Sequence, residues 1–139
     1  MENLYSRGAD MCNILDLVPK DKFDNSTIEI IKVIDVDEVE PILYRLLEWL
    51  QDINWPIAQE LFNILPRFHT QLVPHIRAVL NSDDDIWKNW ILCLIKEFPT
   101  ETVVLLSSDI KRIAKHPTAN ETLKETNIFA IEVIEMFEL

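Results

Sequence analysis

Residues 46–62, which read LLEWLQDINWPIAQELF, decide the fold. On both sides of this stretch, apolar residues recur at the three- and four-residue spacing that places side chains on one face of a helix. Residues 52–55 interrupt that pattern, and Pro56 is tolerated because it falls in the first turn of the following helix. A connection this short makes two helices antiparallel neighbours. The stretch therefore predicts a helical hairpin, with Asn54 as the cap of its second helix.

The hairpin pattern returns in residues 82–98, which read SDDDIWKNWILCLIKEF. Aligning Pro41 with Pro74 and Asp52 with Asp85 gives the same offset of about 33 residues, inside the range of roughly 30 to 47 that is typical of helical solenoids. The sequence therefore predicts an all-α fold, a short HEAT-like α-solenoid of antiparallel helix pairs with about six or seven helices. We expect a mobile N-terminal tail over residues 1–14 and a single helical-repeat domain over residues 15–139.

Residues 86–98 are apolar around most of a helical circumference, which is typical of a helix covered on two sides. We expect this helix to be central, with a polar edge formed by Lys88, Asn89 and Lys96.

The remaining boundaries follow from local signals. A turn is expected at residues 69–71, and one helix is expected over residues 100–113, which His116-Pro117 ends. Thr118 is predicted to cap the last segment, with a break near Thr126.

The composition excludes several classes of site. Gly8 is the only glycine in 139 residues, whereas phosphate-cradling and dinucleotide-binding turns need glycine. The net charge of −11 disfavours nucleic acid and anionic membranes, and no apolar run is long enough to span a bilayer. The charge suits a basic protein as partner, but a high net charge also favours solubility, and we prefer the solubility interpretation.

The cysteines and histidines predict neither a metal site nor a cofactor. Cys12 and Cys93 are far apart, and a buried free thiol at Cys93 indicates a reduced, cytoplasmic setting. The three histidines share no helical face and no metal-ligand spacing, and Ser107-Ser108 lacks a glycine elbow. An enzyme is therefore less favoured than a binding protein.

Two groups of residues are candidates for partner binding: Trp49 with Glu48 and Asp52, and the acidic run Asp83, Asp84 and Asp85. Tryptophan is enriched at interface hot spots, and acidic side chains suit a basic partner. The alternative for the acidic run is a helix cap with favourable dipole charges, which we prefer. Trp55, Trp87 and Trp90 are expected to pack in the core, whereas Trp49 is expected to be partly exposed.

Four stretches carry a family resemblance: LVPKDKFDN (17–25), EPILYRLLEWLQDINWPIAQE (40–60), LVPHI (72–76) and SDDDIWKNWIL (82–92). They resemble the small bacterial proteins of the domain of unknown function 5071 family. The resemblance implies a compact, HEAT-like helical domain in a bacterial cytoplasm, and it implies no activity and no catalytic residues.

Three functional hypotheses follow. The first is a non-enzymatic protein-binding module, acting as an acidic antagonist or adaptor, for example an immunity-type protein against a toxin. The second is a small-molecule-binding protein or enzyme with a pocket between helix pairs near Trp49, Glu48 and Asp52. The third is a homodimer that forms through the C-terminal helix, in which Phe129, Val133 and Met136 make a second apolar line.

Overall fold

A computed structural model describes residues 14–139. All regular structure in this part of the chain is helical and it contains no strand, so the predicted all-α fold is confirmed. The described residues group into two compact units, one that extends to Gln71 and one that runs from Leu72 to Leu139. The predicted tail lies outside the described residues except for Ile14. The single domain over residues 15–139 and the solenoid arrangement stay predictions.

The first unit consists of short α-helices joined by 3₁₀ segments. Its α-helices are α1 (Ile28–Ile31), α2 (Val36–Val39), α3 (Leu43–Glu48) and α4 (Pro56–Ile64), and α5 (His69–Leu80) contains the boundary between the units. Its 3₁₀ segments are Ile14–Leu17, Glu40–Ile42, Trp49–Gln51 and Leu65–Phe68.

The predicted hairpin is present in the first unit, where α4 packs against the 3₁₀ segment Trp49–Gln51. Pro56 is the first residue of α4, where its missing N–H leaves no helical bond unmade. The expected cap at Asn54 is wrong. Trp55 precedes the helix in an extended conformation, while the Asn54 N–H donates to Asp52 Oδ1 at 2.9 Å.

The predicted turn at residues 69–71 is also wrong, because α5 begins at His69 and has Pro74 inside it. A proline at this position removes the hydrogen bond that would join its nitrogen to the carbonyl of Thr70. Thr70 is exposed, so water can take the place of that donor.

The second unit contains α6 (Asp85–Ile95), α7 (Thr100–Leu105), α8 (Ser107–Lys115), α9 (Ala119–Leu123) and α10 (Thr126–Phe137). The C-terminal helix α10 packs against α6 and α8. The core of this unit is formed by fully buried apolar side chains on four of the helices, namely Ile91, Leu94, Ile95, Val103, Ile110, Ile113, Ala130 and Val133.

Three of the predicted boundaries in the second unit are confirmed, among them the cap at Thr118, and one is corrected. The helix ends before His116-Pro117, at Lys115, and the expected break near Thr126 lies at Glu125, whose φ of 61° is left-handed. The single helix expected over residues 100–113 is divided at Leu106, where φ is −101° and ψ is 2°. There the chain leaves helical geometry between α7 and α8.

The polar edge predicted for α6 is wrong at two of its three positions. Lys88 and Asn89 are only 3% and 8% exposed, whereas Lys96 is half-buried. A lysine this deeply buried requires partners that compensate for its lost hydration.

Candidate functional site

The three consecutive acids before and at the start of α6 have different environments. Asp83 is exposed, and Asp84 is the N-cap residue, whose Oδ1 accepts the Trp87 N–H at 3.0 Å. Asp85 begins the helix and is only 5% exposed. The capping role preferred for this run therefore belongs to Asp84. Asp85 is instead a buried carboxylate, which requires a cation as its partner.

Asp85 and Lys88 form a buried ion pair one helical turn apart. Lys88 Nζ lies 2.7 Å from Asp85 Oδ1, although no hydrogen bond of acceptable angle reaches this oxygen. The other oxygen, Oδ2, accepts a hydrogen bond from the side-chain amide of Asn120 in α9. Asp85 thus connects the first turn of α6 to α9.

Glu121 is the second carboxylate that Lys88 contacts, and it is fully buried. Its Oε2 accepts from Lys88 Nζ at 2.9 Å. Arg112 on α8 donates to both carboxylate oxygens, with Nη1 at 2.6 Å from Oε1 and Nη2 at 2.8 Å from Oε2. This two-pronged geometry is the strongest form of arginine–carboxylate pairing.

Glu121 also belongs to a capping box with Thr118. Thr118 Oγ1 accepts the Glu121 N–H at 3.0 Å, and Glu121 Oε1 accepts the Thr118 N–H at 2.8 Å. The two contacts satisfy N–H groups that the start of a helix otherwise leaves without a partner. One carboxylate therefore caps α9 and forms ion pairs with side chains of α6 and α8.

These contacts set the ionisation of Glu121. Burial alone would raise the pKa of Glu121, because it disfavours the charged form. Hydrogen bonds from Arg112, the Thr118 N–H and Lys88 outweigh burial and lower the pKa from 4.5 to about 2. In turn, the hydrogen bond to Glu121 raises the pKa of Arg112. Glu121 and Arg112 are thus both charged at neutral pH.

A cleft of about 510 Å³ opens above this cluster in the second unit. The lining consists of residues 81–83, Asp85 and Lys88 from α6, Arg112 from α8, and residues 118–120 at the start of α9. Its inner wall carries buried charges that are paired with one another, and Asp83 is an exposed acid of its lining. The volume lies within the range that is usual for ligand pockets.

The other predicted site residues, Glu48, Trp49 and Asp52, belong to the first unit. Glu48 is exposed, and Trp49 is half-buried, as expected, with its ring edge-on to Trp55 at a centroid distance of 5.5 Å. Asp52 Oδ1 is occupied by the Asn54 N–H. The role of the three residues in partner binding stays a prediction.

A second cleft, of about 460 Å³, lies in the first unit and is lined by other residues than those predicted. Arg67 and Lys32 provide its positive charge and Glu60 its negative charge. The Arg67 guanidinium lies 4.9 Å from the centroid of the Phe68 ring, and Nη1 donates to the Ile31 carbonyl at 3.4 Å. Both cations also have partners within the unit, since Lys32 Nζ donates to Glu29 at 2.9 Å.

Trp55, Trp87 and Trp90 were expected to pack in the core. Trp87 is buried as expected, whereas Trp55 and Trp90 are only half-buried. Cys93 is a free, half-buried thiol, and its burial raises the pKa of this group. Cys12 lies outside the described residues.

Three expectations concern metal sites, membrane spans and the C-terminal helix. No group of three or more His, Cys, Asp or Glu side chains in residues 14–139 could hold a metal ion, and none of the helices in this range is long and apolar enough to cross a bilayer. Ile128 and Met136 on α10 are exposed, and a homodimer through this helix stays a prediction.

Sequence reasoning missed Lys88, Arg112 and Glu121 as members of one cluster. The signal for Glu121 was present, since Thr118-Ala-Asn-Glu121 has the spacing of a capping box, and only the threonine was recognised. Lys88 follows Asp85 by three residues, a helical ion-pair spacing. Nothing in the sequence pattern connects either residue to Arg112.

The comparison with protein-family models decides the family. The model described as domain of unknown function 5071 matches residues 17–134. The chain belongs to this family. The domain of unknown function 5071 thus includes the whole charged cluster and every residue that lines the cleft above it. Among curated proteins, none matches this member of the family.

Proposed function

We propose that this member of the domain of unknown function 5071 family is a non-enzymatic protein-binding module that holds a basic partner, as an antagonist or adaptor. The observation that carries the proposal is the distribution of charge at the cleft of the second unit. Lys88 and Arg112 are balanced internally by Asp85 and Glu121, whereas Asp83 and Asp84 are exposed at the start of α6. A partner that approaches this surface meets negative charge.

The charge of the whole chain supports the same partner. A net charge of −11 raises the association rate of a basic protein and repels acidic ones. Because exposed charges are screened by salt, binding through this surface weakens as the ionic strength rises. Salt dependence is thus the first property to measure.

The test is capture of partners from a lysate of the native host on the immobilised full chain, at about 50 mM and about 500 mM salt. The variant D83N/D84N removes two exposed charges and keeps the N-cap, because asparagine caps helices as well as aspartate does. The matched control E135Q/E138Q removes the same amount of charge from two exposed positions near the C-terminus.

The proposal requires one stoichiometric basic partner that the wild type and E135Q/E138Q retain at low salt and D83N/D84N loses. A partner that stays bound to D83N/D84N, or that is unaffected by salt, would place binding elsewhere and contradict the proposal. An empty column would also overturn it. In that case a rise in melting temperature with one compound of a metabolite panel would favour the small-molecule alternative, since a ligand of the native state raises stability.

A further inference from the structure

We propose that the cleft of the second unit binds the guanidinium group of an arginine side chain, and this inference rests on the proposed function in that the arginine belongs to the basic partner. Three properties of the cleft select this ligand. They are the pairing of its positive side chains with carboxylates of the protein, its unused hydrogen-bond acceptors and its volume.

The positive groups of the cleft are directed at carboxylates of the protein. Both Nη atoms of Arg112 donate to Glu121, and Lys88 Nζ contacts Glu121 and Asp85. Two cations and two carboxylates leave this cluster without net charge. The remaining charge of the lining is that of Asp83, which forms no ion pair with any residue of 14–139. The one unpaired charge of the lining therefore favours a cation.

The lining also offers side-chain acceptors that residues 14–139 do not use. The side-chain nitrogen of Asn120 donates to Asp85, and that of Asn81 donates to the Arg77 carbonyl and to Asp109. The amide oxygens of Asn81 and Asn120 accept no hydrogen bond from residues 14–139. Two amide oxygens of the lining are therefore available to the donors of a ligand.

Asp85 adds no acceptor for a ligand to this wall. Its Oδ1 is enclosed 2.7 Å from Lys88 Nζ, and its Oδ2 accepts the Asn120 amide. The carboxylate of the lining that a ligand can reach is therefore that of Asp83, which is exposed.

A guanidinium fits this set of acceptors better than an ammonium. It has five N–H donors in one plane, it can bridge a carboxylate and neighbouring amide oxygens, and it loses little hydration on binding. An arginine side chain is also well within the volume of about 510 Å³. A lysine ammonium offers three donors around one point and engages fewer of the acceptors at once.

The probe is the blocked single residue N-acetyl-arginine amide, titrated into the full chain at low salt and followed by amide chemical shifts in NMR spectra. The matched compound N-acetyl-citrulline amide has nearly the same shape and no charge. We expect saturable shifts for the amides of residues 81–85 and 118–121 with the arginine compound. The citrulline compound should give none at the same concentrations.

The variant D83N should weaken binding of the arginine compound about two- to fivefold, as expected for a partly exposed ion pair, and raising the salt should weaken it further. E135Q, which removes one exposed charge outside the cleft, should leave binding unchanged. Spectra of both variants without ligand show whether the cleft is still folded. Equal shifts with arginine and citrulline, shifts outside the cleft, or no saturable shift would each overturn the inference.

The two proposals fail in different ways. If the arginine compound does not bind in the cleft and capture of a basic partner still depends on Asp83 and Asp84, the guanidinium site is wrong and the proposed function stands. If the compound binds in the cleft and no captured partner depends on these acids, the guanidinium site stands and the proposed function fails.

Discussion

Lys88 Nζ lies 2.9 Å from Glu121 Oε2, although 33 residues separate the two in the chain. Neither side chain is more than 4% exposed. A buried ion pair costs desolvation energy, and it persists only where each charge has several partners. Here Asp85 and Arg112 provide those partners, and the four residues connect α6, α8 and α9 of the second unit.

Replacing Lys88 with methionine should destabilise the protein strongly. The change leaves the buried carboxylate of Asp85 without its cation, and such losses typically cost about 3–5 kcal/mol. Urea unfolding measures the effect. The control is Lys96→Met, because the Lys96–Glu132 pair is 29% and 50% exposed and should contribute at most about 1 kcal/mol. Equal losses in the two variants would show that burial of the cluster has no energetic consequence.

Glu121 should make the stability depend on pH in the acid range. Its pKa is lowered from 4.5 to about 2 on folding, so its contribution is complete above about pH 5 and is lost as the pH falls toward 2. The size of that contribution is about 3 kcal/mol. The variant E121Q should be much less stable than the wild type at pH 7, and the difference should shrink steadily below pH 4.5.

Unfolding curves of both proteins between pH 2.5 and 7 measure this difference. Glu132→Gln is the control, since its exposed pair with Lys96 should change the free energy of unfolding by less than about 1 kcal/mol at any pH. A constant gap between the wild type and E121Q across this range would contradict the assigned contacts.

Removing the Thr118 hydroxyl should weaken the start of α9. Thr118→Ala deletes the acceptor of the Glu121 N–H, and the loss of an N-cap typically costs about 0.5–2 kcal/mol. The matched change is Thr122→Ala in the same helix, where the exposed hydroxyl only donates to the Thr118 carbonyl. Thermal unfolding should show a clear decrease for the first variant and little change for the second.

Glu125 should tolerate glycine better than glutamate. Its φ of 61° is left-handed, a region that costs a residue with a Cβ roughly 1–2 kcal/mol and glycine almost nothing. After the added entropy of the unfolded chain, Glu125→Gly should gain about 0.5 kcal/mol or more. Glu101→Gly, in the first turn of α7, should instead lose about 1 kcal/mol. A lower melting temperature for Glu125→Gly would contradict this reading.

The sequence was sufficient for the helical class, the hairpin and the helix end at Lys115, because these depend on periodicity and on proline. It was not sufficient for the environment of Lys88, which periodicity assigned to an exposed edge. Helical periodicity assigns charged residues to the exposed face. Only the tertiary contacts of the cluster with Arg112 and Glu121 show that Lys88 is buried. These contacts join residues from different helices, and no local rule connects them.

The 33-residue repeat predicted from the sequence illustrates the same limit. Asp52 and Asp85 align in it, yet Asp52 accepts the Asn54 N–H in a local turn, whereas Asp85 is buried against Lys88. Equivalent positions in sequence therefore carry different chemistry. The sequence indicated a candidate site at Asp83, Asp84 and Asp85. It did not indicate that Lys88 and Arg112 form the inner wall of that site.

One wall of the cleft is a helix of five residues, α9, which is too short to be stable by itself. Glu121 and the Asn120–Asp85 hydrogen bond connect this helix to α6, so we expect the cleft to be lost when α9 opens. Amide hydrogens of residues 119–123 should then exchange with solvent deuterium faster than those of α6. Any ligand that occupies the cleft should slow that exchange, so deuterium uptake in this helix reports occupancy without knowledge of the ligand.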